Sequence, residues 1–271
     1  MNHLVADEAS IRLTLFLFFF GAVALLELWR PRRTLSINKT YRWLNNLGLM
    51  LINTLVLRLV FPAAAVGIAF WAENQGWGLL RWSGLSAVTP EILIILVSII
   101  FLDLAIWYQH LIFHKIPILW RFHRVHHADL DFDVTTGLRF HPIEILLSML
   151  IKAALIILVG FPVAAVVLFE ILLNAFAMLT HGNYRIPTYW DQKIRQIIVT
   201  PDMHRVHHSW RRDETDSNFG FNLSIWDRLF GTYKAESVDG QMGILFGIEK
   251  QPNKNAVPIY QLLTLPFRNR L

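Results

Sequence analysis

The chain has 271 residues, 54% of them hydrophobic and 17% charged, with no cysteine and a mean hydropathy of +0.42. That charged fraction, against about 25% in soluble chains, excludes an ordinary soluble domain and favours an integral membrane protein. The missing cysteines remove disulfides, thiolate zinc sites, iron–sulfur clusters and cysteine nucleophiles from the chain itself. The net charge of +5 sits beside apolar runs, which fits membrane orientation and anionic lipid rather than nucleic acid.

Residues 1–10 are polar and carry Asp7 and Glu8; His3 among them reads as an ordinary, non-ligating histidine. Ile11–Trp29 approaches the roughly twenty apolar residues that a bilayer core requires. It lacks the basic leader and small-residue cleavage site of a signal peptide, so it is expected to remain as a span. The basic cluster Arg30, Arg32, Arg33, Lys39 and Arg42 should stay cytoplasmic. A second apolar segment, from about Trp43 to Trp71, exceeds one straight span and contains Arg58 and Pro62, which predicts tilt or a kink at the proline. Residues 73–88 read as a short external loop with interfacial tryptophans. A third span, Thr89 to about Tyr108, returns to the cytoplasmic side.

From Lys115 to Glu144 the chain is polar and basic. Ile145–Leu179 is an apolar block interrupted by Gly160-Phe161-Pro162, which predicts a hairpin of two short helices. His181 then opens a basic tail. The expected fold is an all-α integral membrane protein: about three transmembrane helices plus a helical hairpin, four to five spans in all, under a cytoplasmic helical cap. On that topology the histidines from His110 to His208 all reach the same, positive side.

The chemistry concentrates in HLIFHKIPILWRFHRVHH, residues 110–127, where His110 and His114 are spaced i, i+4 and His123, His126 and His127 are spaced i, i+3, i+4. On a helix each set projects from one face. The second set recurs as HRVHH with His204, His207 and His208. A neutral imidazole is the commonest metal ligand, and eight such residues exceed what one tetrahedral zinc uses. They suit two metals of about four nitrogens each. Imidazole accepts zinc, copper, nickel and iron alike; there is no HExxH signature and no paired Glu-x-x-His of the soluble di-iron carboxylate bundles. An all-nitrogen, binuclear site at the cytoplasmic end of a membrane bundle is what remains.

The H-x3-H box and the two H-x2-HH boxes, in that order around an apolar hairpin, resemble the fatty acid hydroxylase/sterol desaturase superfamily of membrane-bound, histidine-rich non-haem di-iron oxygenases. RFHPIE at 139–144, the NAFAMLTHGNY run with His181 and Asn183, and NFGFNLSIWDRLFGTY at 218–233 extend the likeness. The resemblance covers residues 95–235. It divides the chain into N-terminal transmembrane helices (1–94), a di-iron catalytic region (95–235) and a C-terminal cytoplasmic tail (236–271).

The resemblance implies two iron ions held by His110, His114, His123, His126, His127, His204, His207 and His208, with His181 as a further ligand and His141 as a candidate whose other reading is structural. Asp103, seven residues before His110 on span three, can orient a ligand imidazole or pair with Arg58. Glu170 and Asn174, spaced i, i+4 on the hairpin's second arm, form a polar stripe expected to face the site. Glu144, Asp202 and Asp227 are further candidates, Asp227 as a structural one.

The implied reaction is O2-dependent oxidation of an unactivated C–H bond in a membrane lipid such as a sterol, fatty acyl chain or alkylglycerol, by hydroxylation or desaturation. HPIE is not the HPGG of a fused cytochrome, and no dinucleotide fingerprint is present, so electrons are expected from a separate reductase, cytochrome or ferredoxin. Arg121, Arg124, Arg205, Arg211 and Arg212 could dock an acidic partner of that kind or face anionic lipid. The rival reading is a non-enzymatic membrane protein that binds or transports metal with the same histidines; a zinc hydrolase is a third, with fewer open coordination positions.

Overall fold

The structure is a computed structural model that describes residues 8–248 and 258–268. His3 and the last three residues lie outside them. Five segments are long and apolar enough to cross a membrane, and among the described residues the only β contacts are three isolated bridges. Helix α1 (Glu8–Trp29) is the first of these segments. The second is broken: α2 (Lys39–Val60) stops before Phe61-Pro62 and the chain restarts as α3 (Ala64–Asn74). Pro62 has no N–H to donate, so the expected kink is a full interruption.

Two single-turn helices, Leu79–Trp82 and Leu85–Val88, occupy the expected loop. Then α4 (Glu91–Lys115) runs on well past Tyr108, so His110 and His114 both sit in its last turns. A one-residue break at Ile116 allows Pro117 to open α5 (Pro117–His127), a position where the missing N–H costs nothing.

The hairpin is α6 (Pro142–Val159) and α7 (Val163–Thr180). Gly160, at φ +76°, closes α6 in the left-handed region that glycine enters without penalty. A side chain there would also collide with the backbone of Trp77 and Gly78. At the same turn Glu73 accepts the free N–H of Val163 at 3.2 Å, which caps α7. Between α3, α4 and the two hairpin arms lies the main apolar core, built from Ala65, Ala69, Leu102, Ile106, Ile156, Val166 and Phe169. Small residues on α3 allow it to pack closely against the hairpin.

The opposite end of the bundle is a polar cap. It contains α8 (Pro201–His207), capped by Thr200, whose hydroxyl accepts from the Met203 N–H. The cap is fastened to the spans by buried charge. Arg42 at the start of α2 donates to Asp129 at 2.8 and 2.9 Å and to Asp133 at 2.7 Å. Asp131 accepts from the backbone of Ser36 and Ile37, and Arg32 forks onto Asp202. A last short helix, α9 (Ile259–Thr264), returns to α2 and α5 through Leu49, Val125 and Leu262.

Candidate metal centre

Two groups of buried histidines meet at the cap end of the bundle. His110, His114, His123, His127 and His207 form one; His126, His181, His204 and His208 form the other, with one ring nitrogen from each residue within 4.8 Å of the rest of its group. The division cuts across the sequence boxes. Because i, i+4 neighbours share a helix face, His123 and His127 go to the first group, and His204 and His208 to the second. The i+3 positions, His126 and His207, cross over. The groups abut, with the rings of His127 and His208 stacked at 4.5 Å.

Four helices deliver these side chains from their C-terminal ends. His110 and His114 come from α4, His123, His126 and His127 from α5, His181 caps α7, and His204, His207 and His208 close α8. Helix C-termini carry partial negative charge. Converging there, they create a potential that favours cations.

The hydrogen-bond partners fix the tautomers. Nδ1 of His110 lies 2.8 Å from the carbonyl of Phe219, that of His126 3.1 Å from Arg139, that of His181 2.6 Å from Ala177 and that of His207 2.7 Å from Ser217. A carbonyl only accepts, so each of these Nδ1 atoms carries the proton and each Nε2 is a bare lone pair. As a carboxylate Glu144 does the same for His123, whose Nδ1 lies 2.6 Å from its Oε1.

The inward nitrogens then face one another. His110 Nε2 is 3.1 Å from His123 Nε2, and His181 Nε2 is 3.0 to 3.1 Å from Nε2 of His126, His204 and His208. Two lone pairs at that distance repel unless a cation lies between them. Nitrogens about 2.1 Å from one ion and at right angles to each other would be about 3 Å apart. Both ring nitrogens of His114 and His127 and Nε2 of His207 are buried without a hydrogen bond, an expensive arrangement for polar atoms that a metal would relieve. The residues fit metal ions.

Burial pushes His123 and His181 down to about 3. His126, His127, His204, His207 and His208 are held well below the ordinary imidazole value, by burial first and by one another second. The imidazoles are therefore neutral, as ligands must be.

Several expectations are corrected. His141 reaches neither group: it caps α6, its Nδ1 accepting from the Ile143 N–H and its Nε2 facing the carbonyl of Leu263. Both nitrogens are spent. Asp103 orients no imidazole and does not pair with Arg58; it accepts from the Trp226 indole at 2.8 Å and the Leu223 N–H at 3.3 Å. Asp202 pairs with Arg32 and Arg205. Asp227 is structural, gathering Phe219 N, Gly220 N and the Trp107 indole, and so fixes the loop whose carbonyl holds His110. Arg205 is fully buried and Arg124 nearly so, the latter donating to the Leu265 carbonyl, so neither belongs to a docking surface.

Glu170 and Asn174 touch no histidine. They line a cavity of about 340 Å³ that opens between α2, α4 and the hairpin and reaches His110, His123 and Glu144. The histidines of the second group do not line it. Glu170 is ion-paired with Lys152 and Arg12. The carbonyls that hold the imidazoles carry no signal in the sequence, because backbone acceptors are the same at every residue; the Asp216 carboxylate, 3.4 Å from His114 Nδ1, lies outside the histidine boxes.

Comparison with known proteins places residues 95–232 in a match to the fatty acid hydroxylase family. The chain is 32% identical over 135 residues to an alkylglycerol monooxygenase of Homo sapiens, covering 50% of this chain and 29% of that protein. It is 30% identical over 172 residues to an ornithine lipid hydroxylase of Rhizobium tropici, covering 64% and 47%, and 26% identical over 170 residues to a cholesterol 25-hydroxylase of Homo sapiens, covering 59% and 61%. The chain thus spans less than half the length of the first two relatives. No solved structure matches it.

Proposed function

The chain belongs to the fatty acid hydroxylase family, and from that premise we propose that it is a membrane-bound non-haem di-iron oxygenase acting on a C–H bond of a lipid. The observation that carries this reading is the pair of histidine groups, five of whose nine rings turn Nδ1 outward to a hydrogen-bond partner and Nε2 inward. His110, His114, His123, His127 and His207 would hold one iron, and His126, His181, His204 and His208 the other. The ions, when bound, supply the activation of O2 and the oxidising power needed to break an unactivated C–H bond.

The chain's own residues do the rest. Outward hydrogen bonds orient the imidazoles of His110, His123, His126, His181 and His207 before any metal arrives. Only the first group borders the cavity, through His110 and His123, so the substrate would approach that ion while the second stays behind it. Leu57, Ile106, Phe113 and Met149 wall the cavity with apolar surface, which excludes water and suits a hydrocarbon chain entering from the bilayer. Residues 95–235 would be the catalytic region, with 1–94 supplying the far wall of the cavity and the Arg42 clamp. The basic residues flanking the spans support a cytoplasmic location for the histidine end, where a separate reductase, cytochrome or ferredoxin would deliver electrons. With Arg124 and Arg205 buried, Arg121, Arg211 and Arg212 remain for such a partner.

The relatives oxidise or hydroxylate an alkylglycerol, an ornithine lipid and cholesterol, as their names state. A lipid substrate is their common element. A metal transporter is disfavoured because the histidines crowd one end of the bundle, while Asp103 and Lys152 within the spans are taken up by Trp226 and Glu170. Metal analysis of the purified protein, together with O2 uptake in the presence of a reductant and membrane lipid, tests the proposal. Near two iron per chain and lipid-dependent O2 uptake are expected. A single zinc and no uptake would overturn it, and lipid profiles of a deletion strain would identify the substrate.

A further inference from the structure

The cavity has two chemically different ends. One is formed by His110, His123 and Glu144; the other carries Arg12, Arg58, Lys152 and Glu170. Glu144 and Lys152 lie on the same face of α6, eight residues apart, so a rise of 1.5 Å per residue separates the two ends by about 12 Å. At the far end three cations stand against two carboxylates, Glu170 in the cavity wall and Glu8 behind Arg12. Lys152 and Arg12 share Glu170, and Arg12 also reaches Glu8. Arg58, in the last turn of α2, has no hydrogen bond or ion pair among the described residues. Arg58 is exposed, and a guanidinium within a membrane-spanning segment favours an anion beside it.

We propose that this end is a subsite for the anionic oxygen head group of a single-chain amphiphile, which is held with an interior carbon of its chain at His110 and His123. The inference rests on the oxygenase reading of the histidine centre. A carboxylate or phosphate between Arg58 and Lys152 supplies the missing negative charge and accepts charge-assisted hydrogen bonds from both. The apolar wall between the ends takes the hydrocarbon. A neutral lipid would leave Arg58 unpaired. The position of oxidation is then counted from the head group, because the head is fixed and the metals are fixed.

The test uses the iron-loaded protein in neutral detergent and four amphiphiles of equal chain length: hexadecanoate, hexadecyl phosphate, hexadecanol and hexadecyltrimethylammonium. Binding is measured by titration calorimetry. At least one anion should bind about tenfold more tightly than hexadecanol, and the preferred anion tells a free acid from a phosphomonoester. Arg58→Gln, at an exposed position, should narrow that gap severalfold, and Arg58→Lys should restore part of it. Equal affinity for all four, or a gap that Arg58→Gln leaves intact, overturns the subsite. Product mapping with chains two carbons shorter gives a second readout. Oxidation at a constant distance from the head supports the orientation, and a constant distance from the methyl end overturns it. Charge-blind binding by a protein that holds iron and consumes O2 sinks the subsite alone; absence of iron and of O2 uptake sinks the oxygenase reading.

Discussion

Glu144 Oε1 accepts a 2.6 Å hydrogen bond from Nδ1 of His123, and it is the only carboxylate in hydrogen-bond contact with a ring of the two histidine groups among the described residues. It acts through His123, holding the ring so that Nε2 points to the first group. Groups of this kind tune metal affinity by about ten- to a hundredfold. Glu144→Ala is expected to weaken iron retention by that factor, read as iron content after dialysis against a chelator series. Glu144→Gln, which still accepts from Nδ1, should fall between the two. Iron retention in Glu144→Ala equal to that of the unaltered protein would remove Glu144 from the site.

His126 and His207 belong to different groups despite their equivalent surroundings in sequence. Each alanine substitution should therefore empty chiefly one position. Iron per chain is expected to drop from near two towards one in both His126→Ala and His207→Ala, with activity lost. Full iron and full turnover in either variant would show that the ligand assignment is wrong.

Acid should release the metal and loosen the fold together. Burial pushes His123 and His181 down to about 3, whereas an unfolded imidazole titrates near about 6.5. Between those values the unfolded chain takes up protons that the folded chain refuses. The stability is thus fully present above about pH 6.5 and declines as the pH falls towards about 3. The metal-free protein should melt at progressively lower temperature as the pH is taken from about 7.5 to about 5. A flat profile would show that these rings are already protonated or exposed.

Asp129 is the pivot of the clamp between α2 and the cap. Burial alone would raise its carboxyl, but the guanidiniums of Arg42 and Arg139 hold it below the usual carboxylate range. Asp129→Asn keeps the volume and removes the charge, leaving Arg42 and Arg139 buried with half their counter-charge. Breaking a buried pair costs about 3–5 kcal/mol. A large fall in melting temperature with no loss of iron ligands is expected, measured by thermal unfolding in detergent. A shift within a degree or two would mean that Asp133 alone carries the clamp.

Sequence by itself determined the elements that depend on local pattern. Apolar run length set the spans, Gly160 and Pro162 set the hairpin, and i, i+3, i+4 spacing put the histidines on common helix faces. Those are properties of neighbours in the chain. It expected Glu170 and Asn174 to face the histidines, whereas they line the cavity, and it numbered Glu144 among several candidates without distinguishing it.

Tertiary structure decided everything that needs a partner distant in sequence. His141 was indistinguishable from a ligand until α6 began at Pro142 and turned its ring into a cap; Asp103 aligned with His110 along α4 yet meets Trp226, more than a hundred residues away. The acidic run Asp129, Asp131 and Asp133 lies in a stretch read only as polar and basic, and the approach of Arg42, Arg139 and the 36–37 backbone makes it a buried clamp. The histidine cluster of residues 110–127 was legible as half of a candidate binuclear site. Which histidine joins which group was not, since i+3 and i+4 positions diverge by about a third of a turn and only the packing of α4, α5, α7 and α8 decides which nitrogen each one meets.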